Sequence, residues 1–153
     1  MTSRRTVVVA LIIVSLVVTG TIFSLVIYFP ALIGLGSSPS RHSASILARM
    51  ITISPTNFQY YLITVPSGAT FIDVKGSFQV TSGVIDVYVM NPTNYATWQS
   101  GGQPNAYYHS DWMNEMFISA ALPGPGSYYL VYSNVLSNST KTVSTIADLI
   151  YYS

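Results

Sequence analysis

The chain has 153 residues, which is enough for one domain and little more. Half of the residues are hydrophobic and only 7% are charged, whereas charged residues make up about a quarter of a typical soluble domain. After residue 50 two lysines stand against five acids, a formal charge of −3, so nucleic acid is not an expected partner. The chain has no cysteine, which excludes disulfides and thiolate chemistry.

An apolar run without a charged residue, residues 6–29, is the first predicted element. As an α-helix, these 24 residues would extend about 36 Å, against roughly 30 Å for the hydrocarbon core of a bilayer. Arg4 and Arg5 precede the run and Pro30 follows it. Because positive residues stay on the cytoplasmic side, we predict a cytoplasmic N-terminus over 1–5 and a transmembrane signal-anchor helix over 6–33.

Two kinds of processing would change this interpretation. A cleaved signal peptide has an apolar region of about 7–15 residues and a small-residue cleavage site, and this run is longer and has no A-x-A sequence. A pilin-type leader is cut just before the apolar run, usually after a basic residue followed by Gly or Ala. The sequence here, Arg5-Thr6-Val7, departs from that pattern. We therefore favour an uncleaved anchor that crosses the lipid bilayer once.

Residues 34–50 are predicted to be a stalk between the anchor and an extracellular domain over 51–153. Gly, Ser and Pro dominate the first half of this segment. Its second half, SASILARM, is compatible with a short helix or with the approach to a strand. His42 lies in the stalk and is interpreted as a solvated side chain.

From Ile51 onward, apolar and polar residues alternate with period two, which is typical of β-strands. Turn residues such as Pro66-Ser67-Gly68 interrupt the alternation every 8–12 residues, and residues 91–114 form a long loop. No soluble helix is predicted. The pattern predicts an all-β fold, an antiparallel β-sandwich of the jelly-roll or immunoglobulin-like kind. The predicted strands are 57–65, 70–80, 84–90, 115–122, 127–134 and 142–152.

The outer domain is rich in Ser, Thr, Asn, Gln and Tyr. These neutral side chains do not titrate in acid, whereas carboxylates lose their charge near pH 4. The composition fits an archaeal surface protein adapted to heat and acid, and it also fits an ordinary secreted domain.

The strand motifs resemble those of GOLD (Golgi dynamics) domains, which occur in the lumenal part of cargo receptors and in related microbial surface proteins. The matching residues are Gly83–Val89, Asn94-Tyr95, Gly126–Asn134 and Lys141–Val143, within about 55–152. The resemblance implies a non-enzymatic sandwich for protein contacts. Cargo receptors carry this domain first and a membrane helix last, whereas here the anchor comes first. Cargo trafficking is therefore not implied.

Few residues indicate chemistry. Asp86 and Asp73 lie in the middle of predicted strands, and Asp86 is placed on the face opposite the core, as part of the architecture. His109, Ser110 and Asp111 are adjacent and cannot converge as a triad, whose members come from separate segments. His109, Asp111 and Glu115 offer metal-binding atoms at a spacing that matches no known motif. We predict no enzyme and no catalytic, cofactor-binding or metal-binding residue.

Aromatic residues crowd the long loop and are candidates for a contact surface: Tyr95, Trp98, Tyr107, Tyr108 and Trp112. Aromatic loops on a rigid sandwich suit contacts with sugars or proteins. An alternative is that Trp98 or Trp112 closes one end of the sandwich. Asn138-Ser139-Thr140 is a glycosylation sequon, so a glycoprotein is expected if that site is used.

Two functions remain open on the sequence. The first is a membrane-anchored surface module that binds a protein or a glycan outside the cell. The second is a self-associating subunit of a pilus-like filament, surface coat or virion coat, with the apolar helices in its centre.

Overall fold

The computed structural model describes residues 38–153. The predicted cytoplasmic segment 1–5 and the predicted membrane helix 6–33 lie outside these residues. Within residues 38–153 no helix combines the length and the apolar character needed to cross a membrane.

The described residues form two four-stranded antiparallel sheets packed face to face, which confirms the predicted antiparallel β-sandwich. The strands are β1 (Arg41–Ile53), β2 (Phe58–Val65), β3 (Thr70–Val80), β4 (Asp86–Met90), β5 (Tyr108–His109), β6 (Glu115–Leu122), β7 (Gly126–Ser133) and β8 (Lys141–Tyr152). One helix, α1 (Pro92–Gln99), follows β4. Sheet A has the strand order β1-β8-β3-β6, and sheet B has the order β2-β7-β4-β5.

The core lies between the two sheets and follows from the alternation of the strands. In β8, Val143, Ala147 and Leu149 point inward and are buried. The residues between them, such as Ser144 and Ile146, face solvent. Sheet B supplies the opposite wall with fully buried side chains such as those of Val87 and Leu130. Removal of this apolar surface from water is the main force that holds the two sheets together.

Strand β1 begins ten residues before the predicted domain start at Ile51, so the predicted stalk over 34–50 is wrong from Arg41 onward. Strand β1 pairs with β8 along its length, and Leu47 and Ile51 are buried. His42 is exposed as predicted, but it lies in β1 and not in a stalk, and its ring stacks on that of Tyr151 with centroids 5.0 Å apart. A register shift between Ser45 and Leu47 interrupts the alternation in this strand.

The predicted loop over 91–114 contains helix α1 and strand β5, so the prediction of no soluble helix is wrong. Asn91 caps the helix, since its side-chain oxygen accepts a hydrogen bond of 2.8 Å from the backbone N–H of Asn94. Pro92 occupies the first turn, where its missing N–H is no loss. The helix and the residues after it lie over the outer face of β4 and bury it.

Tyr132 connects the two sheets through the core. It belongs to β7 in sheet B, and its hydroxyl lies 2.6 Å from Thr145 Oγ1 in β8 of sheet A. Thr145 in turn donates a hydrogen bond of 3.1 Å to the carbonyl oxygen of Ser77. Burial raises the pKa of the Tyr132 hydroxyl well above its usual range.

The domain is expected to lose stability in alkali because of this tyrosine. An unfolded tyrosine ionises near pH 10. Since the folded pKa is raised, the stabilisation is complete below about pH 10 and is lost as the pH rises toward the folded pKa. Urea unfolding at pH 8 and pH 11 should show the loss, up to about 1.4 kcal/mol per pH unit for one group. The variant Tyr132→Phe should show a smaller loss, and equal losses would contradict this assignment.

Candidate functional site

Strand β4 is buried on both faces, and this decides where the candidate site lies. Val87 and Val89 point into the core between the sheets. Tyr88 and Met90 point the other way, into a second apolar cluster covered by helix α1. Asp86 lies on this second side and is only 6% exposed. The alternation predicted for β4 is therefore confirmed, and Asp86 lies on the face opposite the main core as predicted, although that face is covered and not exposed.

Asp86 is held by the segment that follows β5. Its Oδ1 accepts a hydrogen bond of 2.8 Å from the backbone N–H of Trp112 and lies 3.2 Å from His109 Nε2. The His109 ring stacks on Tyr88 with centroids 4.3 Å apart and an angle of 9° between the planes. Asp111 and Trp112 both have positive φ values, 49° and 57°, which turn the chain back toward Asp86.

Ser110 fixes the same segment to β4. Its buried Oγ accepts a hydrogen bond of 2.8 Å from the backbone N–H of Val87, and its own N–H donates to the Val87 carbonyl at 3.0 Å. The Ser110 hydroxyl thus points toward β4, while the His109 ring turns to Asp86. This geometry agrees with the expectation that His109, Ser110 and Asp111 do not converge as a triad.

The possible metal ligands in the structure differ from those considered from the sequence, because Asp86 takes the place of Glu115 beside His109 and Asp111. Ligand atoms of Asp86, His109 and Asp111 all lie within 4.8 Å of one another. Glu115 is not in this group, because it begins β6 and accepts a hydrogen bond of 3.2 Å from Gln79 Nε2 on sheet A.

An open cleft of about 780 Å³ lies beside Asp86. Its aromatic lining is Phe58, Tyr88, Trp98 and Trp112. Its polar lining includes Asp86, His109, Gln99, Gln103 and Asn105. Neither lysine nor arginine is among the described residues that line the cleft. Burial, and after it the charge of Asp86, raise the pKa of Tyr88 to about 12, so the Tyr88 hydroxyl stays neutral near pH 7.

The five aromatic contact candidates separate into two groups. Trp98 and Trp112 line the cleft. Tyr95 is the buried residue of helix α1 and stacks on Tyr129 with centroids 4.2 Å apart, while Tyr107 and Tyr108 pack against the main core. Trp98 also covers the second apolar cluster, where its ring centroid is 4.9 Å from that of Phe58.

Sequence reasoning missed Phe58, Tyr88 and Asp86 as cleft residues because each lies in a predicted strand. One signal was available, since β4 is followed by a loop long enough to fold back over its outer face. The glycosylation candidate Asn138 is exposed between β7 and β8.

No protein-family model and no curated protein sequence matches the chain. Solved structures that resemble it distantly include the following three. The mitogen from Yersinia pseudotuberculosis has 12% identity and a TM-score of 0.44, covering 72% of this chain and 86% of its own. A periplasmic inhibitor of g-type lysozyme from Aeromonas hydrophila has 13% identity and a TM-score of 0.36, covering 77% and 89%. A protein of the disulfide-linked pili called Bacillus endospore appendages has 11% identity and a TM-score of 0.36, covering 76% and 91%. At these values the likeness concerns the general fold alone.

Proposed function

We propose that this protein is a non-enzymatic, membrane-anchored binding module that faces the cell exterior and binds a neutral glycan in the aromatic cleft. The proposed anchor is supported by the uncharged run over 6–29 and by Arg4 and Arg5 before it. The resemblance to GOLD domains rests on strand motifs and supports a contact function. The exposed sequon at Asn138 fits an exterior location.

The observation that carries the proposal is the composition of the cleft wall. Sugars present apolar C–H faces, which pack on aromatic rings, and rows of hydroxyls, which need fixed hydrogen-bonding groups. Trp112 is 37% exposed at the cleft, and Asp86 is held in one orientation beside it. Gln99, Gln103 and Asn105 add amide donors and acceptors. The absence of lysine and arginine from the described lining favours a neutral glycan over an anionic one.

The size of the cleft also favours a sugar over a folded protein partner. Its volume of about 780 Å³ lies in the range of small-ligand sites. A stable protein interface buries about 800 Å² of surface on each partner. The cleft accommodates a short oligosaccharide or the end of a glycan chain.

Replacing Trp112 by alanine is expected to weaken glycan binding at least tenfold, since the loss of one stacked aromatic surface costs about 1.4 kcal/mol. Trp112 is the first choice because Trp98 also packs against the second apolar cluster. A glycan array probed with the full chain in detergent identifies the ligand, and calorimetry then compares the variants.

Phe117→Ala is the matched control, since Phe117 is 80% exposed on sheet A, outside the cleft. It should bind as tightly as the original chain. Equal weakening by both variants, or an array without any bound glycan, would contradict the proposal. If the cleft bound a protein instead of a glycan, and Trp112→Ala abolished that binding, the proposed ligand would be wrong and the partner would be a protein.

A filament or coat subunit is the second candidate, and the outer face of sheet A favours it. Phe117 and Ile146 both pair with Ser77, so their exposed apolar side chains share that face. The mass and N-terminal sequence of protein from its native membrane separate the two functions. An intact start at Met1 or Thr2, extracted only by detergent, supports the anchored module. A start at Thr6 or Val7 in detergent-resistant polymers supports the filament.

A further inference from the structure

Asp86 is a buried carboxylate without a strong counter-charge. Among the described residues two ion pairs form, Lys75 with Asp73 and His109 with Asp86. The imidazole of His109 is charged only when it is protonated. The Oδ1 of Asp86 also accepts a hydrogen bond from the backbone N–H of Trp112. Among the described residues no lysine or arginine lies within ion-pairing distance of this carboxylate, so a cation has room beside it at the cleft.

The neighbouring donor atoms have the chemistry and the spacing of metal ligands. Asp86 Oδ1 and His109 Nε2 are 3.2 Å apart. Two ligands at the usual distance of about 2.1 Å from a tetrahedral Zn²⁺ lie about 3.4 Å from each other. The third donor, Asp111, completes a group in which all ligand atoms lie within 4.8 Å. Asp111 is exposed, so its side chain is free to close the remaining distance.

The surrounding contacts orient two of these donors, Asp86 and His109, without a bound ion. Tyr88 stacks on His109 and restricts the rotation of the imidazole ring. Ser110, which lies between His109 and Asp111, is hydrogen-bonded to the backbone of Val87 in both directions. The backbone N–H of Trp112 orients the Asp86 carboxylate. Such outer contacts commonly fix the orientation of metal ligands.

We propose that Asp86, His109 and Asp111 form a binding site for a divalent transition-metal ion, with Zn²⁺ as the best fit. One imidazole nitrogen and two carboxylate oxygens suit Zn²⁺, whereas Ca²⁺ prefers six to eight oxygen ligands. Three protein ligands leave a coordination position for water or for a ligand oxygen. Since Asp86 and His109 also line the cleft, a bound ion contributes to its wall.

Calorimetric titration tests the site with ZnCl₂ and the full chain in detergent, after treatment with a chelator. We expect one Zn²⁺ per chain and a rise in the thermal unfolding temperature that grows with Zn²⁺ concentration. Asp111→Asn and His109→Gln should each weaken Zn²⁺ binding at least tenfold. Both residues are partly or fully exposed, so these variants should fold. Excess CaCl₂ should not displace the Zn²⁺.

Glu115→Gln is the matched control, because Glu115 is near in sequence but outside the group, and it should bind Zn²⁺ normally. Asp86→Asn gives a further check, with circular dichroism to confirm that the sandwich still forms. Failure of the original chain to bind Zn²⁺, or equal binding in Asp111→Asn and His109→Gln, would overturn the proposal. The glycan proposal stands or falls separately, on the Trp112→Ala comparison.

Discussion

Gly76→Ala is expected to lower the free energy of unfolding by about 3 kcal/mol, the upper part of the range for overpacked sites. Gly76 lies in β3 between the strands β8 and β6. A Cβ atom here would collide with the carbonyl oxygen of Ile146 and would lie 2.8 Å from the Cα of Ala147. Both are backbone atoms of the neighbouring strand, so no side-chain rotation relieves the clash. Urea unfolding of the original protein and of Gly76→Ala measures the difference in the free energy of unfolding.

Gly124→Ala provides the control for this substitution. A Cβ at Gly124 has no described atom within 4 Å, so we expect a change of less than about 0.5 kcal/mol. If Gly76→Ala proved as stable as Gly124→Ala, the close approach of β3 and β8 would be wrong.

Asn134→Asp is expected to destabilise the domain by about 3–5 kcal/mol at neutral pH, the range for an uncompensated buried charge. Asn134 is only 2% exposed. Its Nδ2 lies 3.3, 3.1 and 2.8 Å from the carbonyl oxygens of Ile53, Ser54 and Ser139. The substitution places a negative oxygen where three carbonyl oxygens need a donor. Urea unfolding at pH 7 measures the loss.

The pH dependence of Asn134→Asp identifies the cause. Burial and the carbonyl dipoles disfavour the charged form, so the pKa of the introduced carboxyl is expected to be raised in the folded state. The stability loss should therefore shrink as the pH falls toward about 4, the unfolded pKa. Asn138→Asp, at an exposed position close by, should be nearly neutral at every pH. A loss independent of pH, or the same loss in both variants, would contradict the explanation.

The sequence alone located most of the strands. Strands β3 and β6 have the predicted bounds, β2 and β8 differ from the prediction by one residue at one end, and β7 is shifted by one residue at both ends. These strands combine clear alternation with Gly, Pro and Ser turns, which are local signals. Strand β1 was missed because its partner β8 is about 100 residues away in sequence and because a register shift breaks its alternation.

The candidate site was harder to predict because it depends on contacts between distant segments. Asn91-Pro92 is a local signal for the start of helix α1. Tyr95 is the one buried residue of this helix, so its sequence shows no amphipathic periodicity. The burial of Asp86 depends on the chain returning through Asp111 and Trp112 with positive φ values. No local pattern around Asp86 encodes that return. Trp98 and Trp112 were found from composition alone, whereas Phe58 and Tyr88 needed the tertiary structure.

The order of strands in sheet A has a consequence for biosynthesis. Strand β8 lies between β1 and β3, yet it is the last strand of the described residues to leave the ribosome. Until it does, β1 and β3 have no partner on their facing edges, and unpaired edges invite aggregation. Pairing over such long sequence separations is slow, typically milliseconds to seconds for all-β domains. The sandwich is therefore expected to fold only after synthesis of residues 141–152.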